Sequence, residues 1–318
     1  MRLLVTGGCG FIGSNYIRYT LENHPKYTIV NLDKLTYAGT KERLKCIKDN
    51  PNYTLVVADI NDRRKVDKIM PKVDAVVHFA AESHVDLSIK DPRIFFETNT
   101  LGTLNLVESA VKHGVVFHHI STDEVFGSID RGRFDEESPL KPRNPYSASK
   151  AAAEHIINSY ANTYGLKATI TAMSNNFGPW QHNEKFIPHS ITNLLQSKKI
   201  QLYGDGGNIR EWLYVEDCCS AIDLIVHKGR MGEKYCVAGP CKKTNLEVAE
   251  TIIKMMGKDS SFIKRVKDRP GHDQRYAMNS NKIKKELGWK PKNDFKPALQ
   301  KTINWYTEKR RWWEKLKH

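Results

Sequence analysis

Thr6-Gly7-Gly8-Cys9-Gly10-Phe11-Ile12-Gly13 stands between a short apolar run and an amphipathic segment near the start of this 318-residue chain. Gly7, Gly10 and Gly13 have the G-x-x-G-x-x-G spacing. Residues 2–6 read as a strand and residues 11–21 as a helix. In a strand–glycine loop–helix unit the first glycine permits a tight turn. The second lets backbone approach a pyrophosphate, and the third lets the helix pack close to the sheet. The helix start then presents its unpaired N–H groups to phosphate. A second strand, 27–33, ends on Asp33, twenty residues after Gly13. A carboxylate there can take the ribose hydroxyls of an adenosine and repels a 2′-phosphate. This favours NAD over NADP, although Lys34 beside it keeps NADP open.

The same alternation continues outward. Strands are predicted at 53–59, 74–79, 115–121 and 167–173, with long helices at 93–113 and 146–164. Alternating β and α segments of this length imply an α/β fold of the Rossmann type, a doubly wound parallel sheet covered by helices on both faces. The rhythm changes after residue 176. A helix at 188–196, a strand at 199–203 and a strand at 233–238 come first. Helices at 244–256, 280–287 and 295–315 follow, giving a smaller C-terminal α/β lobe. The expected division is 1–176 as an NAD-binding domain, to which segments near 212–240 return, and 177–318 as a smaller substrate lobe.

Composition excludes several classes. A hydrophobic fraction of 40% and a charged fraction of 27% belong to an ordinary globular enzyme. No apolar run reaches membrane-span length, and no signal-peptide pattern opens the chain, so a cytoplasmic location is expected. Six cysteines form no C-x-x-C pair and read as reduced thiols, with no metal expected. The net charge of +14 is spread along the chain, which reads as a solvated surface and not as a nucleic-acid footprint.

Two further motifs carry chemistry. Tyr146-Ser147-Ala148-Ser149-Lys150 places Tyr146 and Lys150 at i and i+4, on one helical face. An ammonium beside a phenol favours the phenolate, and the same lysine can bind nicotinamide ribose hydroxyls. Ser121-Thr122-Asp123-Glu124 follows the 115–121 strand at its carboxyl end, where open α/β sheets hold ligands. Thr122 can hydrogen-bond a substrate hydroxyl and the tyrosine. Asp123 and Glu124 offer a proton donor and a proton acceptor. Adjacent carboxyls in a water-poor cleft push each other's pKa values apart. His118 and His119 read as strand-end packing.

With these motifs in place, the chain resembles the extended short-chain dehydrogenase/reductases, and within them the nucleotide-sugar 4,6-dehydratases. The likeness runs through 6–13, 33–39, 80–86, 121–125, 146–150, 174–179, 184–188, 203–206, 210–213 and 268–273. It implies a redox-neutral lyase: oxidation at C4 of a nucleotide-activated glucose, loss of water across C5–C6, and re-reduction at C6. It implies NAD, a homodimer formed through the 93–113 and 146–164 helices, and a product that feeds 6-deoxysugars such as rhamnose. By the same resemblance Thr122, Asp123, Glu124, Tyr146 and Lys150 are catalytic. Cofactor contacts are Gly7, Gly10, Phe11, Ile12, Gly13, Asp33, Lys34, Leu35, Thr36, Asp59, Ile60, Ala80, Ala81, Thr98 and Asn176, with Tyr146 and Lys150. Substrate contacts are Ser83, Thr122, Asn175, Lys185, Phe186, Arg210, Asn245, Arg269 and His272. Lys185, Arg210 and Arg269 suit a pyrophosphate by charge.

Leu87, Phe126, Phe177, Trp180 and Glu211 depart from the pattern of those dehydratases. They leave dTDP-glucose as the first expectation for substrate and UDP-glucose as the second. A nucleotide-sugar 4-epimerase shares the cofactor and the Tyr/Lys pair but needs no C5 base, so Asp123 and Glu124 speak against it. A non-catalytic NAD-bound scaffold or RNA-binding protein is the reading from another class, suggested by charge and by the aromatic, basic segment 305–317. The bland account of that tail is a packed helix face made by Leu299, Ile303, Tyr306 and Trp313.

Overall fold

The computed structural model describes residues 1–268 and 271–316. In chain order the first lobe contains β1 (Arg2–Thr6), α1 (Phe11–Asn23), β2 (Thr28–Asp33), β3 (Tyr53–Val57), α2 (Arg63–Ile69) and β4 (Ala75–His78). It continues with α3 (Val85–Lys90), α4 (Arg93–Phe95), α5 (Gly102–His113), β5 (Val116–Thr122), α6 (Pro145–Tyr164) and β6 (Ala168–Met173). Then come β7 (Asn175–Phe177), α7 (Phe186–Leu195), β8 (Ile200–Tyr203), β9 (Ile209–Tyr214), α8 (Val215–Lys228) and β10 (Lys234–Val237). The chain closes with β11 (Cys241–Thr244), α9 (Asn245–Met255), β12 (Ile263–Val266), α10 (Asn281–Leu287), α11 (Phe295–Glu308) and α12 (Arg310–Trp313).

Seven strands form one sheet in the order β10-β6-β5-β4-β1-β2-β3. Every pairing in it is parallel. Strands covered on both faces are apolar almost throughout, and Leu3, Leu4 and Val5 are wholly buried. One face packs on α1 and α8 through Tyr16, Ile17, Cys218, Ile222 and Ile225. The other packs on α2, α5 and α6 through Val66, Leu106, Val107, Ala110 and Ile157. The strand order reverses between β1 and β4, which opens a crevice at the carboxyl ends of the strands. Beyond that crevice sits the smaller lobe. It has a three-stranded sheet β11-β9-β7, a parallel pair β12-β8, and a core built by α7, α9 and α11.

Two predicted helices are interrupted. The 93–113 segment is not one α-helix: Phe96–Leu101 is π-helical between α4 and α5. The extra residue per turn turns Thr98 toward the crevice and buries Asn99, which exchanges hydrogen bonds with the backbone of Glu82. The 295–315 helix breaks at Lys309, between α11 and α12. That break lets Trp313 fold back, bury itself and donate its indole N–H to the carbonyl of Tyr306 at 2.8 Å. Leu299, Ile303, Tyr306 and Trp313 are all buried, so the aromatic tail is core. No helix among the described residues is long and apolar enough to cross a membrane.

Candidate active site

A cleft of about 300 Å³ runs from the glycine loop to the end of β5. Its floor is set by Gly7, whose φ of +69° suits glycine and whose Cβ, if present, would lie 2.6 Å from the Ala80 backbone. The Gly7 N–H donates to the Leu32 carbonyl, locking the loop to β2. Gly10 caps α1 without a side chain, so nothing competes for the first-turn N–H groups. Asp33 is held rigidly: its carboxylate accepts the backbone N–H groups of Cys9 and Leu35, each at 2.8 Å. Lys34 reaches across to Asp59 at 3.4 Å and to the Thr98 hydroxyl, so its charge is already engaged. The cation that kept NADP open is thereby matched by a carboxylate.

At the other end, β5 delivers Thr122, Asp123 and Glu124, and α6 delivers Tyr146 and Lys150. Asn144 caps α6 with a reciprocal Ser147 capping box. Its side-chain N–H₂ also donates to Glu124 at 3.2 Å, so one residue both starts the Tyr/Lys helix and positions the glutamate. The Thr122 hydroxyl favours the Tyr146 phenolate and donates to Asp123 Oδ1 at 3.2 Å. Asp123 is wholly buried and its Oδ2 has no partner. Burial, reinforced by the Glu124 charge, pushes its carboxyl well above the usual carboxylate range. A buried acid that keeps its proton beside an acidic neighbour is poised as a proton donor.

Lys150 behaves differently from the simple expectation. Its ammonium donates to the Ile120 carbonyl at 2.6 Å and lies 3.2 Å from His119 Nε2. Burial lowers its pKa to about 8, opposed by the carboxylate of Glu154 one turn along α6. Glu154 is fully buried, accepts from Ser121, and pairs with Lys234 on β10. Burial and the Glu124 charge raise the Tyr146 phenol instead of lowering it. His119 is therefore not only packing: burial keeps it neutral, and it can accept from Lys150. His118 is held by the Thr169 and Thr171 hydroxyls and is structural.

The cleft is lined by Gly7, Gly10, Phe11, Ile12, Gly13, Asp33, Lys34, Thr36, Asp59, Ile60, Ala80, Ala81, Thr98 and Asn176. Thr122, Asp123, Glu124, Tyr146, Lys150, Ser83, Asn175 and Lys185 complete it, the Lys185 ammonium donating to the Ser83 carbonyl at 2.7 Å. Leu35, with φ +58°, does not line it. Phe186, Arg210, Asn245 and His272 do not line it either. Phe186 packs near Trp212. Arg210 is buried, donates to the carbonyls of Ile209 and Asp273, and lies 4.2 Å over the Tyr276 ring. Asn245 opens α9 and His272 binds Asp268 at 2.6 Å. Arg269 lies outside the described residues.

Sequence reasoning missed Arg43, which is buried in the cleft wall, bonds the carbonyls of Cys9 and Ala38, and has an unpartnered Nη2. It also missed Glu154. The spacing Tyr146, Lys150, Glu154 at i, i+4, i+8 on one helix face was the available signal. None of the departures Phe126, Phe177, Trp180, Leu87 and Glu211 lines the cleft, although the Trp180 carbonyl accepts from Arg43 at 2.9 Å. Phe126 and Phe177 are buried core, Trp180 packs on Trp305 and Trp312, and Glu211 pairs with Arg133.

The cleft suits a dinucleotide on its own terms: a side-chain-free helix start, a fixed carboxylate at the end of β2, and buried, unpartnered amide oxygens on Asn175 and Asn176. Comparison with known proteins agrees with that reading. Residues 4–302 match the family model described as GDP-mannose 4,6 dehydratase. A dTDP-glucose 4,6-dehydratase of Mycobacterium tuberculosis (strain CDC 1551 / Oshkosh) is 45% identical, the match covering 100% of this chain and 96% of that protein. The solved dTDP-glucose 4,6-dehydratase of Streptomyces venezuelae, with NAD bound, superposes with TM-score 0.98 at 46% identity, and each chain is covered completely. That of Bacillus anthracis, in complex with NAD, gives 0.94 at 46% identity, again over the whole of both chains. The chain thus shares its fold with these enzymes over its full length, and it belongs to the dTDP-glucose 4,6-dehydratase family.

Proposed function

We propose that this chain is an NAD-dependent lyase that converts dTDP-glucose to the 4-keto-6-deoxy sugar. The observation that carries the reading is the Asp123–Glu124 pair, with Asp123 buried and its carboxyl raised, in one cleft with Tyr146, Lys150 and the glycine loop. Bound NAD supplies reversible hydride acceptance, taking a hydride from C4 and returning it to C6. Gly10 and the start of α1 hold the pyrophosphate, and Asp33 holds the adenosine ribose. Lys150, fixed by the Ile120 carbonyl and His119, presents its charge to the nicotinamide ribose and to Tyr146. Tyr146, whose phenolate the Lys150 charge favours against the burial that raises it, takes the O4 proton with Thr122 orienting the hydroxyl. The 4-ketone acidifies C5–H, and Glu124 removes that proton. Asp123 gives its proton to the departing C6 hydroxyl, and water leaves. Glu124 returns its proton to C5 as hydride reaches C6, and the hydride taken from C4 and given back at C6 makes the sequence redox-neutral. Ser83, Asn175 and Lys185 hold the nucleotide sugar, with Lys185 as the pyrophosphate cation.

The same reading makes the protein a cytoplasmic supplier of 6-deoxysugar precursors, consistent with six free cysteines. It also makes it a homodimer through the α4–α5 segment and α6. Phe96, Leu101 and Tyr164 leave large apolar surface exposed there, with Leu101 at 54% and Tyr164 at 60%. The test is incubation of the purified protein with dTDP-glucose and, separately, UDP-glucose without added NAD. Loss of water by mass, together with the alkali-induced absorbance of a 4-keto-6-deoxy sugar, is expected with dTDP-glucose. No water loss with either sugar, even with NAD added, sinks the dehydratase reading. A mass-neutral epimer hands the chain to the epimerases.

A further inference from the structure

The far end of α1 meets the far end of α8, away from the cleft. His24 caps the C-terminus of α1, while Asp223 and His227 stand at i and i+4 in the last turns of α8. His24 Nε2 lies 2.9 Å and His227 Nδ1 3.4 Å from the same oxygen, Asp223 Oδ1. One ligand atom from each residue lies within 4.8 Å of the other two, the one such group among the described residues. A tetrahedral ion with bonds of ~2.1 Å separates its ligands by about 3.4 Å. The trio is close to that spacing before any ion is added.

We propose that His24, Asp223 and His227 form a binding site for a divalent transition cation of the zinc class. Three further observations point the same way. Two helix C-termini converge here, and their carbonyl ends carry partial negative charge that adds to the Asp223 carboxylate. The rings are already oriented: Tyr27 Oη bonds His227 Nε2 at 2.8 Å, and the Tyr27 ring stacks on His24 at 4.6 Å. A hydrogen-bond partner on the remote ring nitrogen is the usual support of a metal-bound histidine. The three side chains are only partly buried, with exposures of 16–26%, so an ion can enter and a fourth position can hold water.

In the structure His227 Nδ1–H donates to the Asp223 carbonyl at 2.6 Å. Metal binding replaces that contact with a bond from the Nδ1 lone pair. The ring proton then resides on Nε2, where Tyr27 Oη accepts instead of donating. Two imidazoles and one carboxylate select zinc, cobalt, nickel or copper over magnesium and calcium. The site clamps α1 to α8. The thirteen residues of α1 keep it about 20 Å from the glycine loop, so it is structural in effect.

The experiment titrates untagged holoenzyme with Zn²⁺ by calorimetry and with Co²⁺ by visible absorbance, with Mg²⁺ as control. Cys46→Ser serves as the background, because Cys46 is an exposed thiol. One saturable equivalent per chain is expected, with a tetrahedral Co²⁺ band and no response to Mg²⁺. His24→Gln and Asp223→Asn should each weaken binding at least about tenfold, and Tyr27→Phe by roughly tenfold through loss of ring support. None of these residues lies in the cleft, so retained turnover certifies the fold of each variant. Absence of a saturable equivalent, or binding unchanged in both His24→Gln and Asp223→Asn, overturns the proposal.

Discussion

Replacing Glu124 by glutamine isolates the C5 proton step. The substitution Glu124→Gln keeps the length of the side chain, and the amide oxygen can still accept the Asn144 N–H₂ group that reaches Glu124 at 3.2 Å. The Glu124 backbone N–H, bonded to Thr122 Oγ1 at 3.3 Å, is untouched. The α6 cap and the Tyr146–Lys150 geometry therefore survive, and what disappears is a base. Removing a positioned general base costs about 10²–10⁴ in rate, or roughly 3–5 kcal/mol of barrier. Oxidation at C4 does not use Glu124, so the variant should generate reduced cofactor on mixing with substrate and then stall before losing water. Stopped-flow absorbance of the reduced nicotinamide, read beside water loss by mass, separates the two steps. A second consequence follows from charge. Glu124 adds to burial in holding both Asp123 and Tyr146 high, so its neutralisation lets both fall and moves the acid limb of C4 oxidation, where the Tyr146 phenol must lose its proton, toward lower pH. Water loss at near the parent rate, or loss of the oxidation step itself, would refute the assignment of Glu124 as base.

Asp123→Asn should abolish protonation of the leaving hydroxyl yet leave the melting temperature unchanged or raised. Its carboxyl is buried with one oxygen unpartnered, and its raised pKa makes the folded state lose stability as pH rises above the ordinary aspartate value; calorimetry across pH 4–8 checks the sign. Lys150, lowered to about 8, carries its charge below that pH and loses it above, so turnover should decline above about pH 8. The unfolded chain holds the Lys150 proton longer, so that residue's penalty to stability is relieved between about pH 8 and its ordinary value near 10.5. Glu154→Gln removes the charge that supports Lys150 and should shift the decline in turnover to lower pH; an unshifted profile would remove Glu154 from the argument. Gly7→Ala should cost about 1–3 kcal/mol from φ alone, and more from the 2.6 Å contact with Ala80, read as loss of bound cofactor and a lower melting temperature.

Much of the site was legible because it is local. The glycine loop, the Tyr-x-x-x-Lys pair and the Asp-Glu pair each span a few residues at an element boundary, where spacing dictates which face a side chain takes. The strands read as strands because burial on both faces leaves near-continuous apolar runs. The π-helical turn at Phe96–Leu101 and the break at Lys309 escaped notice because both continue an apolar period that an unbroken helix also satisfies.

By itself the sequence determined the parallel α/β architecture and placed the glycine loop, the Asp123–Glu124 pair and the Tyr146–Lys150 pair at element boundaries, since those follow from periodicity and short spacing. Only the tertiary structure decided the states of these groups. Burial by distant chain segments raises the Asp123 carboxyl, and Lys150 is held by a carbonyl and a histidine from β5. Arg210, expected at a pyrophosphate by its charge, instead satisfies carbonyls and an aromatic ring. His24 and His227 are about two hundred residues apart in sequence and share one carboxylate oxygen only because α1 packs on α8. Protonation, partnership and proximity depend on what burial removes from water, and burial is a property of the packed chain.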